Sequence, residues 1–160
     1  MTENSDLIEY FALFTEVGII EQLSRNLLEA ELPDGIIAPH FAVLNHLIRV
    51  ADGQTPLKLA TAFQVPKTSM THTLAGLQRH RLVEMRPNPN DARSKQVWLT
   101  DEGRQLRDRT IADLGPILSR VAQTTTPQEV RTVLPILQKL REHLDDARDQ
   151  HDNSSPLTSS

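Results

Sequence analysis

Apolar residues recur every three or four positions along most of this chain, which is the spacing of amphipathic helices. The first run, from Asp6 to about Ala30, carries two apolar stripes, whereas a helix that packs on one side needs only one. We interpret the second stripe as a surface that a second subunit covers. Two more helices are expected from about Pro39 to Val50 and from about Lys67 to His80.

A short helix is expected between these two, because Thr55-Pro56 fits an N-cap followed by the first helical position. The residues expected on its buried side are Leu57, Ala60 and Phe63. After residue 82 the pattern alternates between apolar and polar residues, as half-buried strands do. Val83–Arg86 and Lys95–Leu99 follow this pattern and flank the turn-rich segment 87–94, which predicts a hairpin.

A hairpin that directly follows two short helices joined by a tight turn has the order of a winged helix-turn-helix. The predicted fold class is therefore mainly α, with a two-stranded β-wing and helices at both ends. A helix capped by Thr100 follows the hairpin, and Gly115-Pro116 should kink or break it. The last helix begins with the capping box of Thr126 and Glu129, and Pro135 should bend it.

The last helix carries a leucine-rich stripe that ends at about Arg148, and the polar residues after it are typical of disorder. The sequence thus predicts four parts. They are an N-terminal dimerisation helix (1–35), a winged helix-turn-helix DNA-binding domain (36–100), C-terminal dimerisation helices (101–148) and a disordered tail (149–160).

Charge is distributed unevenly along the chain. The net charge of the 160 residues is −4. Residues 64–109 hold nine Lys/Arg and five Asp/Glu, whereas the rest of the chain holds eight Lys/Arg and sixteen Asp/Glu. A basic centre between acidic ends fits a phosphate-binding surface, although ordinary surface charge is the alternative. The lack of cysteine excludes disulfides and thiolate metal sites. No signal peptide or apolar run of the ~20 residues that span a bilayer is present, so a cytoplasmic location is expected.

The helix from Lys67 to His80 has the character of a helix that enters a major groove. With Met70, Leu74 and Leu77 facing inward, the opposite face carries no acidic residue. Its residues are Thr68, Ser69, His72, Ala75, Gly76 and Arg79. Small residues let the helix approach the bases, and polar or basic groups offer donors to them. The predicted base-reading residues are Thr68, Ser69 and His72, and the predicted phosphate contacts are Lys67, Thr71 and Arg79. A merely solvated face is the alternative.

The loop of the hairpin carries Asp91-Ala92-Arg93 at its tip. An arginine suits a narrow minor groove, and Asp91 is expected to hold the Arg93 guanidinium through a charge-assisted hydrogen bond. Arg86 and Lys95 flank the wing as predicted phosphate contacts. The alternative is a turn-stabilising ion pair with no role in DNA binding, although exposed pairs contribute only ~0–1 kcal/mol.

From about Ala38 to Arg104 the sequence resembles the MarR (multiple antibiotic resistance regulator) family. The segments that carry the resemblance are Phe41-Ala42-Val43-Leu44, Thr55-Pro56-Leu57-Lys58-Leu59-Ala60, Thr68-Ser69-Met70-Thr71, Leu77, Leu82-Val83, Asp91-Ala92-Arg93 and Leu99-Thr100-Asp101-Glu102-Gly103. The wing motif followed by Leu-Thr-x-x-Gly is the most specific part. The resemblance implies an obligate homodimer formed by the first and last helices, a pseudo-palindromic operator and a small-molecule effector pocket between the dimer region and the DNA-binding lobe.

Two positions depart from the family pattern. Arg81 stands where the family usually has a glycine, which favours a left-handed exit from the helix, so a slightly strained or differently shaped exit is expected here. His72 stands where an arginine is common, which affects the preferred operator sequence and leaves the binding mode unchanged.

These features predict a sequence-specific DNA-binding transcriptional regulator, acting as a homodimeric, ligand-responsive repressor. The alternative is a winged helix that serves as a protein-interaction module without DNA binding. Neither a Gly-rich phosphate loop nor a nucleophile elbow is present, so no enzyme activity, catalytic residue or cofactor is predicted. His40 and His46 are six residues apart and do not share a helix face, so no metal site is predicted. His40 is instead a candidate for lining an effector pocket.

Overall fold

The computed structural model of this chain describes residues 4–154, and the side chains of residues 6–147. Within these residues, seven helices and one antiparallel hairpin follow one another along the chain. They are α1 (Asn4–Ala30), α2 (Ala38–Arg49), α3 (Pro56–Phe63), α4 (Lys67–Arg79), β1 (Val83–Pro87), β2 (Lys95–Leu99), α5 (Asp101–Asp113), α6 (Gly115–Val121) and α7 (Pro127–Ser154). The predicted fold class, mainly helical with a two-stranded wing, is confirmed.

The chain divides into two compact units, Met1–Gly115 and Pro116–Ser160. The division falls at the Gly115-Pro116 pair, where the sequence predicts a kink or a break because proline lacks a backbone N–H. In the second unit, the predicted capping box forms. The Thr126 hydroxyl accepts the Glu129 N–H at 3.2 Å, and Glu129 Oε2 accepts the Thr126 N–H at 2.8 Å. The Thr126 hydroxyl also donates to Glu129 Oε2 at 2.8 Å, and the two hydrogen bonds that Thr126 donates to this carboxylate lower the pKa of Glu129.

The last helix extends further than expected. α7 continues through Pro135 and ends at Ser154, so residues 149–154, predicted to be disordered, are helical. The segment contains neither glycine nor proline, and the next helix breaker is Pro156. Low hydrophobicity therefore does not end this helix. The rest of the expected tail, residues 155–160, lies outside the described residues.

The core of the first unit lies between α2, α3, α4, α5 and the hairpin. Its fully buried apolar side chains are Val43, Leu44, Leu47, Leu59, Leu77 and Val97. The expectation for α3 was wrong in one residue: Leu57 is 61% exposed and Leu59 is completely buried. The helix has only eight residues, and its contacts with α4 and β2 select the side that is buried.

The hairpin pairs Val83 with Leu99 and Met85 with Val97. A third segment extends it on the outer side of β2, because Gln54 forms an isolated bridge with Val97. Asp52 fastens this segment, since its Oδ1 accepts the backbone N–H groups of both Gly53 and Leu99. The base of the wing is thus held to the loop that precedes α3.

Many apolar side chains of α1 lie at the surface of the single chain. Eleven large apolar residues between Leu7 and Leu27 are exposed, and Phe11 reaches 75% exposure. Among the residues of α7 whose side chains the structure describes, the same feature appears at Val130, Val133, Leu134, Ile136 and Leu144. Contiguous apolar surface of this kind commonly marks an interaction site.

The junction between the hairpin and α5 is tightly packed. The Thr100 hydroxyl caps α5 by accepting the Gly103 N–H at 3.0 Å and donates to the Arg81 carbonyl at 2.8 Å. Gly103 lies directly against the Leu82 carbonyl, so a Cβ at this position would overlap the carbonyl oxygen. A backbone atom cannot rotate away as a side chain would.

Gly103→Ala is therefore expected to lower the free energy of unfolding by about 2–3 kcal/mol, the upper range for overpacking. Urea denaturation at fixed protein concentration measures the change. Gly18→Ala is the control, because apart from its neighbours in the chain and the backbone of its own helix no atom of the chain lies within 4 Å of a Cβ there. Equal stability of the Gly103→Ala variant and the parent protein would contradict the close contact.

Candidate nucleic-acid interface

The outer face of α4 has the polar, acid-free character that the sequence predicts. Thr68, Ser69 and His72 are exposed, and we call these three residues the recognition face. Among the described residues, none of the three side chains forms a hydrogen bond, so their polar groups face solvent. The inner face buries Met70, Leu74 and Leu77 in the core. The helix is thus anchored on one side and polar on the other.

Lys67, Thr71 and Arg79, the predicted phosphate contacts on α4, are also exposed. The Thr71 hydroxyl donates to the Lys67 carbonyl at 2.9 Å, which leaves its oxygen lone pairs for an outside donor. A hydroxyl used in this way cannot also donate its proton to a phosphate, so water would have to mediate such a contact.

Gly76 was expected on the outer face of α4, and this expectation was wrong. Gly76 is buried, and a Cβ built on it would lie 2.5 Å from Nε2 of His40 on α2. Apolar periodicity gives no signal for glycine, because glycine has no side chain that would mark a buried or an exposed position. The spacing of residues within one helix also cannot show that a ring from another helix fills the space beside the glycine.

The tip of the wing is a turn closed by short polar side chains. Asn88 Nδ2 donates to Ser94 Oγ at 2.8 Å, and Asn88 Oδ1 accepts the Asn90 N–H at 3.0 Å. Asp91 Oδ1 accepts the backbone N–H of Arg93 at 2.9 Å. Local side-chain to backbone bonds of this kind shape turns without a core.

Asp91 therefore differs in its role from the expectation. It was predicted to hold the guanidinium of Arg93, but its carboxylate accepts the Arg93 backbone N–H, and no ion pair joins the two side chains within the described part of the chain. Two residues apart in a tight turn, the carboxylate reaches the backbone more readily than the end of a long side chain. The Arg93 side chain is exposed at the tip, and so is Lys95 at the start of β2.

Arg86 has neighbours that the sequence did not indicate. Its guanidinium is paired with Glu84 and lies over the ring of Trp98, 4.9 Å from the centroid. Trp98 in turn packs against Gly53, where a Cβ would lie 2.5 Å from the indole. Arg86 thus stabilises the base of the wing, and a phosphate would compete with Glu84 for it.

Arg81 adopts the left-handed backbone conformation expected of the residue between α4 and β1. Its φ is +58°, a value that costs a non-glycine residue about 1–2 kcal/mol. The Thr100 hydroxyl holds the Arg81 carbonyl in place. Of the two outcomes expected from arginine in place of glycine, a strained exit and a differently shaped one, the structure shows the strained exit.

These elements define a winged helix-turn-helix protein. The family model described as MarR family matches residues 34–94. The multiple antibiotic resistance protein MarR of Salmonella typhimurium is 32% identical over 143 residues, which cover 88% of this chain and 99% of the relative. The chain belongs to the MarR family of transcription regulators, which confirms the resemblance seen in the sequence.

Solved structures agree with this assignment. A cysteine-to-serine mutant of MarR from E. coli, complexed with operator DNA, is 31% identical, has a TM-score of 0.70, and the match covers 82% of this chain and 95% of that chain. The regulator BldR from Sulfolobus solfataricus is 18% identical and has a TM-score of 0.75, and the match covers 86% of this chain and 98% of BldR. This similarity supports the fold. Within residues 4–154, no helix has the length and apolar character needed to cross a membrane.

Arg81→Gly is expected to raise the free energy of unfolding by about 1 kcal/mol, because glycine adopts a positive φ without the penalty of a Cβ. Thermal or urea unfolding measures the gain. Arg81→Ala serves as the control that removes the charge and keeps the strain, and it should show no gain. If both variants gained equally, relief of charge repulsion would explain the effect better than the backbone would.

Proposed function

We propose that this protein is a sequence-specific DNA-binding regulator that inserts the recognition face of α4 into the major groove. The observation that carries the proposal is the acid-free outer face of a helix whose inner face is fixed in the core. Thr68, Ser69 and His72 would contact base edges, because hydroxyl and imidazole groups offer donors and acceptors to them. The structure of an E. coli relative with operator DNA supports this mode of action.

The wing extends the same surface. We propose that Arg93 enters the minor groove and that Asp91 acts indirectly, by shaping the turn that presents Arg93. Lys67, Thr71, Arg79, Arg86 and Lys95 are the proposed phosphate contacts. Arg86 would make its contact from its position over Trp98, so it would restrain the wing as well as bind.

We further propose that the protein acts as a homodimer through its first and last helices. The eleven exposed apolar side chains of α1 and the five of α7 would be covered by a second copy of the chain. In this proposal residues 1–35 and 101–148 form the dimer region, and residues 36–100 form the DNA-binding domain. Two recognition helices about 34 Å apart would then address successive major grooves of a pseudo-palindromic operator.

Regulation would follow from competition between two dimer shapes. In one shape the two recognition helices would be spaced to fit successive major grooves, and in the other they would not. A small molecule that binds the second shape more tightly would increase its population and so weaken DNA binding. Such a regulator acts in the cytoplasm as a ligand-responsive repressor, without catalytic chemistry of its own. The change between the two dimer shapes would require no change in the recognition face itself.

Selection from a random duplex pool tests the proposal directly. It should enrich two related half-sites whose centres are about 10–10.5 base pairs apart. Binding to the enriched duplex should weaken steeply with rising salt, because phosphate contacts release counterions. If the intact protein binds no duplex even at low salt, the winged helix serves as a protein-interaction module instead.

Arg93→Ala should weaken binding to the enriched duplex by about tenfold, in the range of single specific side-chain contacts. Fluorescence anisotropy at several salt concentrations measures the loss, and size-exclusion chromatography shows whether the assembly is intact. Arg25→Ala removes an arginine that pairs with Glu21 on α1 and is the matched control. Equal affinities of the two variants would count against the wing assignment.

Phe11→Glu should convert the dimer to a monomer and reduce operator binding, because it places a charge within the exposed apolar surface of α1. Analytical ultracentrifugation gives the assembly state, and circular dichroism shows whether the helices persist. Val50→Glu, at a 61% exposed apolar position after α2, is the control and should stay dimeric. A dimeric Phe11→Glu variant would exclude this part of α1 from the interface.

A further inference from the structure

An imidazole supports the recognition helix from its inner side. His40, in the first turn of α2, is only 8% exposed. Its Nδ1 accepts the backbone N–H of Ile37 at 3.2 Å, which is half of a capping box. Because a backbone N–H can only donate, Nδ1 carries no proton, and the neutral ring holds its proton on Nε2.

The other edge of the ring fills a notch in α4. A Cβ on Gly76 would lie 2.5 Å from His40 Nε2, so a larger residue at position 76 would displace either the ring or the helix. A second contact of the same type lies nearby, where a Cβ on Gly35 would be 2.9 Å from His80 Nε2. The buried ring of His40 thus limits how closely α4 approaches α2, and the exposed His80 makes a similar contact with the loop before α2.

The charged groups around His40 come from two helices. His72, Arg79 and His80, on α4 and at its C-terminal end, lower the pKa of His40, but burial lowers it most. From α1, the carboxylate of Glu29 reaches the same turn and accepts the Ala38 N–H at 2.9 Å. The surroundings therefore favour the neutral ring at physiological pH.

We propose that neutral His40 is the positioning residue of the recognition helix, so that protonation of His40 weakens operator binding. The proposal rests on the DNA-binding function proposed above. A proton on Nδ1 removes the acceptor of the Ile37 N–H and turns the ring into a donor. It also places a positive charge beside Arg79 and His80, so the ring and α4 are driven apart.

The sign of the pH dependence follows from the lowered pKa of His40. The unfolded or displaced chain binds the proton more readily than the packed ring does, so the contribution to stability is present above about pH 6.5 and is lost as the pH falls through the folded value.

The first arm of the test uses the full-length protein without DNA. Imidazole resonances followed by NMR between pH 8 and pH 5 give the titration of His40, with His40→Gln used for assignment. The backbone amides of α4 should shift along the same curve as His40. If they do not respond when His40 titrates, the proposal is overturned whether or not the protein binds DNA.

The second arm measures affinity for the enriched duplex. Between pH 7.5 and pH 5.5 the parent protein should lose affinity several-fold, because protonation of His40 and binding of the duplex oppose each other. His40→Gln should remove this loss, since glutamine at the same helix position accepts the Ile37 N–H and stays neutral. His143→Gln, which changes an exposed histidine of α7, is the control and should keep the loss. A parent-like pH profile in His40→Gln would overturn the proposal.

A pair of size changes separates positioning from simple stability. Gly76→Ala should weaken DNA binding at pH 7.5, although alanine favours helix formation by about 1 kcal/mol over glycine. His40→Ala combined with Gly76→Ala makes room for the new Cβ and should restore part of the affinity. Parent-like affinity of the Gly76→Ala variant would overturn the proposal. If the parent protein binds no duplex at any pH, the proposed DNA-binding function is refuted. The NMR measurement then tests by itself whether protonation of His40 moves α4.

Discussion

The burial of one side of α4 is the constraint on which the rest of this structure depends. Met70, Leu74 and Leu77 are all at most 3% exposed, and Gly76 lets the helix lie against the ring of His40. Truncating a buried leucine of this kind costs about 2–5 kcal/mol, a large part of the stability of a small domain. Because the inner face fixes three turns of α4, the exposed residues of the helix contribute little to folding. Their side chains can therefore vary with the ligand that the helix recognises, at little cost in stability.

The wing follows from the same arrangement because short polar side chains connect it to the helices. Thr100 joins the exit of α4 to the start of α5, and Asp52 joins β2 to the loop before α3. Asn88 and Asp91 close the tip. Each of these side chains satisfies backbone groups that a two-stranded sheet would leave open. A hairpin that is marginal in isolation thereby becomes a defined part of the unit.

The acidic net charge of the chain does not oppose a function in DNA binding. Acidic residues are concentrated outside residues 64–109, whereas the outer face of α4 and the wing tip carry exposed cations. Screening limits each charge to about 8–10 Å at physiological ionic strength, so a phosphate close to the wing is affected mainly by nearby groups. The local distribution of charge therefore matters more for DNA binding than the sum.

The sequence by itself determined the helices, the wing, the caps at Thr55, Thr100 and Thr126, and the family, because periodicity, turn residues and caps are local properties. Only the tertiary structure showed that Leu59 is buried instead of Leu57 and that Arg86 stacks on Trp98. It also showed that Gly76 receives His40. These features depend on which elements meet in space, and residues far apart in the chain decide that. The spacing of residues along α4 contains no information about the His40 ring, which packs against Gly76 from α2.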